Sequence, residues 1–459
     1  MHQPVVLSPF RAELRDTLLL AAPLVLANLL QMAVYAVDVI FVARLGQEAL
    51  AAASLATSLF GLIGWTFSAL TGAVAPLIAA ELGRARHAVR EVRRSIRMAL
   101  WLALVTGLAG MGLCLTVGPL MRATGQDPVV AGMAERFILV LAFSLVPMIA
   151  ANVLRTFVSA LGRPVFATLV TALAIAVNAF GNWVFVFGNL GAPAWGLEGS
   201  AISTVITALA SLAAYAVAIR RDRRLQRYHI FGRWWRPEWT RLREILRIGA
   251  PIGLIVVAEG GLFGSAAYLM GRIGPAELAA HAIALQVASV FFQIPFGIAQ
   301  AATIRVGYHF GAGDRAGIGL AGRAAVVTCI GFQLAGAAVM LLIPRLILSA
   351  YVDTEAAGNA AMVGFAMEYL VVAAAFQLFD GVQAVAGGAL RGLQDTRVPM
   401  VIAVLGYWLP GFGTAAYLGL ATPLEGTGVR IGLAAGLVVV AALLLRRWYH
   451  REALGLMSG

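Results

Sequence analysis

Residues 17–43 read TLLLAAPLVLANLLQMAVYAVDVIFVA, an apolar stretch in which Asp38 is the single charged residue. About 20 consecutive apolar residues are enough for a helix to cross the hydrocarbon core of a bilayer, so the stretch predicts a transmembrane helix. It is also longer than the apolar core of a cleaved signal peptide, which has about 7–15 residues. We therefore interpret it as the first membrane span.

Comparable stretches follow along the whole chain of 459 residues, of which 61% are hydrophobic and only 12% charged. Soluble domains carry about 25% charged residues, so this composition excludes an ordinary soluble enzyme. The high apolar content also excludes a disordered chain. Strands of a membrane barrel have about 10 residues and are too short to account for these stretches. The sequence predicts an all-α polytopic membrane protein with twelve spans, at 17–43, 49–80, 98–121, 133–158, 164–190, 199–219, 245–271, 278–308, 321–348, 359–390, 398–421 and 428–445.

The 34 basic residues are all arginines, and they are distributed unevenly between the loops. With the N-terminus in the cytoplasm, 28 arginines lie on the inner side, and six, including Arg430, lie outside or at outer helix ends. Because basic residues are enriched in cytoplasmic loops, this split predicts that both termini are cytoplasmic. The segment 220–247 is rich in arginine and tryptophan, and the arginine split places it on the cytoplasmic side. This position favours contact with membrane lipid over contact with nucleic acid.

The two halves of the chain resemble each other at a constant offset, which places Leu14 on Leu242. Between 14–52 and 242–280, 11 of 39 aligned positions are identical. A repeat of six helices gives two halves of the same orientation, as in transporters whose lobes rock around a central site. The sequence thus predicts two parallel-repeat six-helix lobes, 1–219 and 248–459, joined by a cytoplasmic linker at 220–247.

Pro23 and Pro251 occupy matching positions of this repeat, in the first and seventh spans. Proline removes a backbone hydrogen bond from a helix interior, so both helices are predicted to bend there. Such a bend can be a moving part of the protein or simply the shape of a curved helix.

Four acidic residues lie inside the predicted spans, away from their ends: Asp38, Glu259, Glu368 and Asp380. A charged group at the bilayer centre costs about 2.5 kcal/mol or more, so each of them needs a reason. Away from the span ends the sequence has no arginine, and the acids are therefore expected to be protonated, hydrated or bound to a cation. A single acid can equally be a neutral packing group, whereas Glu259 and Asp380, on two helices of one lobe, favour a cation site.

Further polar residues are candidates for the lining of a cavity. Asn178 and Asn182 are four residues apart, hence on one helix face, where they are expected to support Asp38. Gln286 and Tyr407 are also candidates, although polar residues in membrane spans more often hold helices together.

Residues 311–314, GAGD, match the GxGD motif of intramembrane aspartyl proteases. Those enzymes need two carboxylates at membrane depth, whereas Asp314 is followed by Arg315 in a loop predicted to be cytoplasmic. The sequence also shows no Walker motif, catalytic triad or zinc-ligand spacing. We therefore expect neither enzymatic activity nor a bound cofactor.

Two stretches resemble the multidrug and toxic compound extrusion (MATE) family, in its NorM-like branch. Residues 37–46, VDVIFVARLG, are similar to the family's VDxxxVGxLG. Residues 380–397, DGVQAVAGGALRGLQDTR, are similar to DxxQ…GxLRGxxDT. Ala43 and Gln394 depart from these motifs without altering a carboxylate.

The resemblance implies a two-lobe, V-shaped, monomeric antiporter of the inner membrane. It would export drugs or toxic organic cations, many of them aromatic, in exchange for Na⁺ or H⁺, without a cofactor. Cation coupling is assigned by the resemblance to Glu259 and Asp380, as Na⁺ ligands if sodium drives transport, and to Asp38. The resemblance places Asp38 together with Asn178 in a polar site of the N-terminal lobe. A flippase for lipid-linked oligosaccharides is the alternative, and an interior with acids but no bases is evidence against it.

Overall fold

The computed structural model describes residues 8–84, 88–232 and 237–457. These ranges are predominantly helical, and they contain twelve helical segments long and apolar enough to cross a membrane, which confirms the predicted number. Some spans consist of two consecutive α-helices. In chain order the helices are α1 Pro9–Ala43, α2 Gln47–Thr71, α3 Val74–Arg84, α4 Val89–Cys114, α5 Val117–Ala123, α6 Pro128–Leu141, α7 Leu145–Ala160, α8 Val165–Phe185, α9 Gly196–Arg221, α10 Trp239–Ile273, α11 Pro275–Gly311, α12 Arg315–Leu342, α13 Pro344–Ser349, α14 Ala360–Gly392, α15 Arg397–Gly406, α16 Gly413–Ala421 and α17 Glu425–Tyr449.

The helix boundaries follow from local sequence. Gly46, with φ +109°, separates α1 from α2, in a backbone region that only glycine enters easily. Asp127 precedes α6 and accepts hydrogen bonds from two backbone amides of its first turn, while Pro128 takes the first helical position. Asp314 caps α12 by accepting a hydrogen bond from the Gly317 amide at 2.9 Å. Within the spans, the helices satisfy their own backbone groups, as a lipid environment requires.

The chain divides into two compact units. Unit 1 comprises Met1–Val25 and Val257–Gly459, and unit 2 comprises Leu26–Val256. Two helices contribute to both units, because α1 passes from unit 1 to unit 2 after Val25, and α10 passes from unit 2 to unit 1 after Val256.

The units differ from the predicted lobes in the assignment of these two helix starts. The start of α1 packs in unit 1 against α11, where a Cβ atom on Gly297 would lie 2.5 Å from the Val25 side chain. The start of α10 packs in unit 2, where a Cβ on Gly249 would collide with the Leu70 carbonyl oxygen. A repeat shows which segments are related, but not which partner each of them packs against.

Pro23 and Pro251 lie inside α1 and α10, shortly before the points at which these helices change units. Both helices continue through the proline. The predicted bending stays a prediction.

In unit 1, α14 is the central helix and packs against α11, α12 and α17. Small residues allow this close approach: a Cβ atom on Gly388 would lie 2.5 Å from the Ala299 carbonyl oxygen on α11. Because α14 carries Asp380, that carboxylate lies in the interior of the unit. Unit 2 is built around two clusters of buried aliphatic and aromatic side chains, represented by Phe157 and Phe137.

Candidate functional site

Unit 1 contains a network of buried polar groups around Asp380. This residue is 8% exposed, and its Oδ1 accepts a hydrogen bond from Gln383 Nε2 at 3.1 Å. Gln383 Oε1 in turn accepts one from the Tyr407 hydroxyl at 2.6 Å. Tyr407 begins the π-helical turn Tyr407–Phe412, between α15 and α16. The relay from Tyr407 through Gln383 therefore orients the carboxylate from a neighbouring span.

Glu259, on α10, belongs to the same network. Its carboxylate lies close enough to Asp380 and to the Arg391 guanidinium for the charges to interact. Two carboxylates in apolar surroundings repel each other unless a proton or a cation reduces their charge. The structure thus brings together the pair singled out in the sequence, with Tyr407 beside it.

The expectation of an interior without bases is wrong for unit 1. Arg391, one of the 28 arginines predicted on the inner side, lies in the last turn of α14, at a helix end as expected, but its charge interacts with that of Glu259. Arg430, counted as an outer helix end, lies in the second turn of α17, because this helix begins at Glu425 rather than at 428. Its side chain is 0% exposed. Residue type alone gave no sign that these arginines point into the protein.

Arg430 has unusual partners. Its Nη1 lies 3.4 Å from His281 Nδ1, and its guanidinium lies 5.3 Å from the centre of the Phe376 ring. Its Nε and Nη2 are buried without a hydrogen-bond acceptor, and within the described ranges no acid forms an ion pair with it. This arrangement was not predicted.

Gln286 and Glu368 lie outside the network. Gln286 is exposed on α11. Glu368 is exposed on α14 and accepts a hydrogen bond from the Thr427 hydroxyl at 3.3 Å. Neither side chain takes part in the hydrogen bonds around Asp380.

A second carboxylate site lies in unit 2. Asp38 Oδ1 accepts hydrogen bonds from Asn178 Nδ2 at 2.9 Å and from Asn182 Nδ2 at 2.8 Å. The Thr204 hydroxyl donates to Asp38 Oδ2 at 3.4 Å. The four-residue spacing of the asparagines therefore directs both amides of α8 to one carboxylate of α1. Thr204 and the adjacent Ser203, which donates to the Asn178 carbonyl oxygen at 2.9 Å, were not foreseen, since many spans contain serine and threonine.

Asp314 of the GAGD stretch is a structural residue. Besides capping α12, its Oδ2 lies 3.0 Å from His309 Nδ1. Both of its carboxylate oxygens are thus used in fixing the turn between α11 and α12.

The residues of the unit 1 network have the chemistry needed to bind a small transported cation. Glu259 and Asp380 supply negative charge. The oxygen atoms of Gln383 and Tyr407 are neutral ligands of the type that hard cations prefer. Across the part of the chain that the structure describes, no cluster of three or more His, Cys, Asp or Glu side chains could hold a metal ion. The assignment of coupling roles to these residues stays a prediction.

Comparison with known proteins places the chain in a family. The MatE family profile matches residues 23–184 and again residues 251–415, two stretches that begin at the matching prolines of the internal repeat. A relative from Mesorhizobium japonicum, named "Probable multidrug resistance protein NorM", is 43% identical over 443 residues. That match covers 96% of this chain and 95% of the relative.

Solved structures share the fold. The crystal structure of the eukaryotic MATE transporter AtDTX14 matches with a TM-score of 0.87 at 19% identity, over 98% of this chain and 99% of that chain. A MOP superfamily transporter from Pyrococcus furiosus, for which reverse polarity of the binding pocket is said to suggest a different function, matches with a TM-score of 0.85 at 20% identity, over 97% of each chain. The family match and the NorM relative go further than shared fold: the chain belongs to the MatE family, and it is a membrane transporter rather than an enzyme.

Proposed function

We propose that this protein is a secondary active multidrug exporter, an antiporter that exchanges drugs or toxic organic cations for Na⁺ or H⁺. The observation that carries the proposal is a pair of carboxylates with interacting charges in one membrane-spanning unit, the buried Asp380 and the half-buried Glu259. Such acids are expensive to keep in a membrane and mark ion pathways. The multidrug resistance named in the relative from Mesorhizobium japonicum supports the same function.

Exchange follows from electrostatics. The carboxylate pair can be neutralised by a proton or Na⁺, and once neutralised it attracts a cationic drug less strongly. If the ion and the drug stabilise different conformations or compete for the same charge, one must leave before the other binds. Tyr407 and Gln383 hold Asp380 in place during this exchange through their hydrogen bonds.

The substrates we infer are cations or zwitterions with an aromatic surface. The unit 1 carboxylates attract positive charge, and the aromatic residues that follow Tyr407 offer rings for stacking. The Trp408 and Phe412 ring centres are 5.6 Å apart, and the Trp408 side chain is 38% exposed. Aromatic faces bind cations and flat ring systems without strict shape requirements.

Unit 1 does contain bases, so the flippase alternative depends on whether these bases could bind a pyrophosphate. Recognition of a pyrophosphate requires guanidinium groups that can reach the ligand. Arg430 is fully buried, so its guanidinium cannot reach such a ligand, and the charge of Arg391 is offset by the carboxylate of Glu259, with which it interacts. Export of cations therefore remains the function that the geometry supports best.

The driving ion can be identified with purified protein in liposomes. A fluorescent aromatic cation such as ethidium is the probe, and Na⁺ and pH gradients are imposed separately. We expect transport of the probe against its gradient with one of the two ion gradients and none without a gradient. Equal transport in the absence of both gradients would contradict antiport.

The proposed orientation, with both termini cytoplasmic in an inner membrane, can be tested with introduced cysteines. The native Cys114 and Cys329 are buried, so they leave a low background. His229 and Ala194 are both exposed and form a matched pair. A membrane-impermeant thiol reagent added outside intact cells should label Ala194→Cys and spare His229→Cys. The reverse pattern would contradict this topology.

A further inference from the structure

An ion pair holds the first turns of α1 within unit 1. Its residues are distant in sequence from both carboxylate sites. Glu13 is 7% exposed and receives two hydrogen bonds from Arg305 on α11, Nε to Oε1 at 2.8 Å and Nη2 to Oε2 at 2.5 Å. His309 Nε2 lies 3.3 Å from Glu13 Oε2. A bidentate pair that is shielded from water is both directional and strong. We call these residues the α1 clasp.

The first turns of α10 are fixed in a corresponding way within unit 2. Arg241 is 9% exposed, and its Nη2 lies 2.9 Å from Glu91 Oε2 on α4 and 3.3 Å from Glu81 Oε1 on α3. Its Nη1 lies 2.6 Å from Glu244 on the next turn of α10. We call Arg241 with Glu81 and Glu91 the α10 clasp.

The two clasps occupy equivalent positions of the repeat with opposite charges. The offset between the halves carries Glu13 onto Arg241, and it carries Glu81 onto His309. In one half the acid lies on the helix start and the bases on its neighbour, and in the other half the signs are exchanged. What the halves share is therefore an ionic contact at this place rather than a residue type.

The position of each clasp along its helix suggests its task. Glu13 and Arg241 precede Pro23 and Pro251, and each proline precedes the point at which its helix passes into the other unit. Each helix thus has a start attached by charges to one unit, then a proline, then a remainder in the other unit. A helix bends most easily where proline has removed a hydrogen bond.

We propose that the two clasps are positioning contacts of the transport cycle. They keep the starts of α1 and α10 attached to their units while the remainder of each helix moves with the other unit, so that bending is confined to the segments after Pro23 and Pro251. This inference rests on the protein being a transporter and not on which ion drives it.

The test compares Glu13→Gln with the parent in three measurements on purified protein. Export of ethidium in liposomes should fall about tenfold, the effect of losing one charge-assisted contact. Its binding affinity should stay within about twofold, since the clasp does not touch a carboxylate site. Thr17, 0% exposed and one turn beyond Glu13, reports on attachment: the alkylation rate of Thr17→Cys should rise about tenfold when the clasp is removed.

Asp16→Asn is the matched control, because Asp16 lies 3.3 Å from the same Arg305 but its side chain is 52% exposed. Exposed ion pairs contribute little, so export and alkylation should change by less than about twofold. An unchanged alkylation rate or normal export in Glu13→Gln would overturn the proposal. If the parent itself fails to respond to an ion gradient, it is the proposed antiport that fails, and the alkylation comparison still decides the role of the clasp.

A double-variant cycle covers the case in which Glu13→Gln assembles poorly. Glu13→Gln with Arg305→Gln leaves no buried charge unpaired and is expected to fold better than either single variant. Its export should be as low as that of Arg305→Gln, because both substitutions remove one contact. Normal export by the double variant, or effects that multiply, would overturn the inference.

Discussion

The carboxylate sites of the two units differ in which neighbouring groups compensate their negative charge. In unit 2, Asp38 is surrounded by three neutral donors, Asn178, Asn182 and Thr204. In unit 1, Asp380 receives one donor, Gln383, and faces a second acid, Glu259. Fixed dipoles can stabilise one negative charge by themselves, whereas two neighbouring charges need a mobile cation. We infer that the unit 1 site responds more strongly to the driving ion.

The two sites are not copies of each other, although the halves are related. At the offset that aligns the halves, Asp38 corresponds to Ala266, and Glu259 corresponds to Gln31. The repeat therefore provides two similar helical frames that carry their carboxylates at different positions. From this asymmetry we infer that the units need not perform the same step of transport.

The largest effect is expected from neutralising the unit 1 pair. Glu259→Gln and Asp380→Asn keep side-chain shape but remove the counter-charge, so ion-driven export should fall about 100-fold, near the upper end of typical coupling free energies. Assembly should be retained, because a neutral amide is easier to bury than a carboxylate. The measurement is ethidium export in liposomes under each ion gradient, together with protein yield. Near-normal export by both variants would mean that these carboxylates do not couple ion and drug.

Glu368→Gln serves as the control for that pair. It also removes a carboxylate from α14, but from an exposed position bonded to Thr427. We expect less than about a threefold change in export, as for other exposed charges.

A smaller effect is expected in unit 2. Asp38→Asn replaces one acceptor oxygen by an NH₂ group, which then faces donors of Asn178, Asn182 or Thr204. One buried donor would lose its acceptor, which costs about 1–3 kcal/mol. Export should fall about tenfold, with a lower melting temperature than the parent. If Asp38→Asn abolishes ion dependence while Asp380→Asn retains it, the order of the two sites is the reverse of ours.

Arg430 is a further difference between the two units, because no arginine is among the hydrogen-bond donors of Asp38. Arg430→Met removes a buried guanidinium whose Nε and Nη2 have no acceptor. Replacing a poorly compensated buried charge by an apolar side chain is neutral or stabilising, here by about 1 kcal/mol. The melting temperature in detergent should be unchanged or higher. A clear decrease would show that the contacts with His281 and Phe376 stabilise the protein more than we infer.

The smallest effect on export among the substitutions at the carboxylate sites is expected behind Asp38, at Gly181, which packs against Ser203. A Cβ atom on Gly181 would lie 2.5 Å from the Ser203 hydroxyl, which supports the Asn178 carbonyl oxygen. Gly181→Ala should therefore destabilise the protein by about 1–3 kcal/mol and reduce export about twofold. Gly112→Ala is the matched control, since no atom lies within 4 Å of a Cβ at that helical position, and it should be neutral or slightly stabilising. Equal melting temperatures for both variants would argue against tight packing at Ser203.

The membrane class, the twelve spans and the repeat could be predicted from the amino-acid sequence alone. These features rest on long apolar stretches and on a fixed offset, and both are properties of the chain that no packing can change. The sequence also identified the carboxylates, because an acid inside an apolar span is conspicuous whatever surrounds it. The spacing of Asn178 and Asn182 indicated their common helix face in the same way.

Which helices the polar groups contact could be seen only in the folded protein. Arg430 was predicted at a helix end and is buried, whereas Gln286 was a candidate for the lining of a cavity and is exposed. The starts of α1 and α10 look like parts of their own halves, yet they pack in the other unit through Glu13 and Arg241. Hydropathy and spacing describe one helix at a time, and the contacts between helices depend on shape and charge at positions far apart in the chain. The pairing of groups at these sites is therefore a property of the assembled helices.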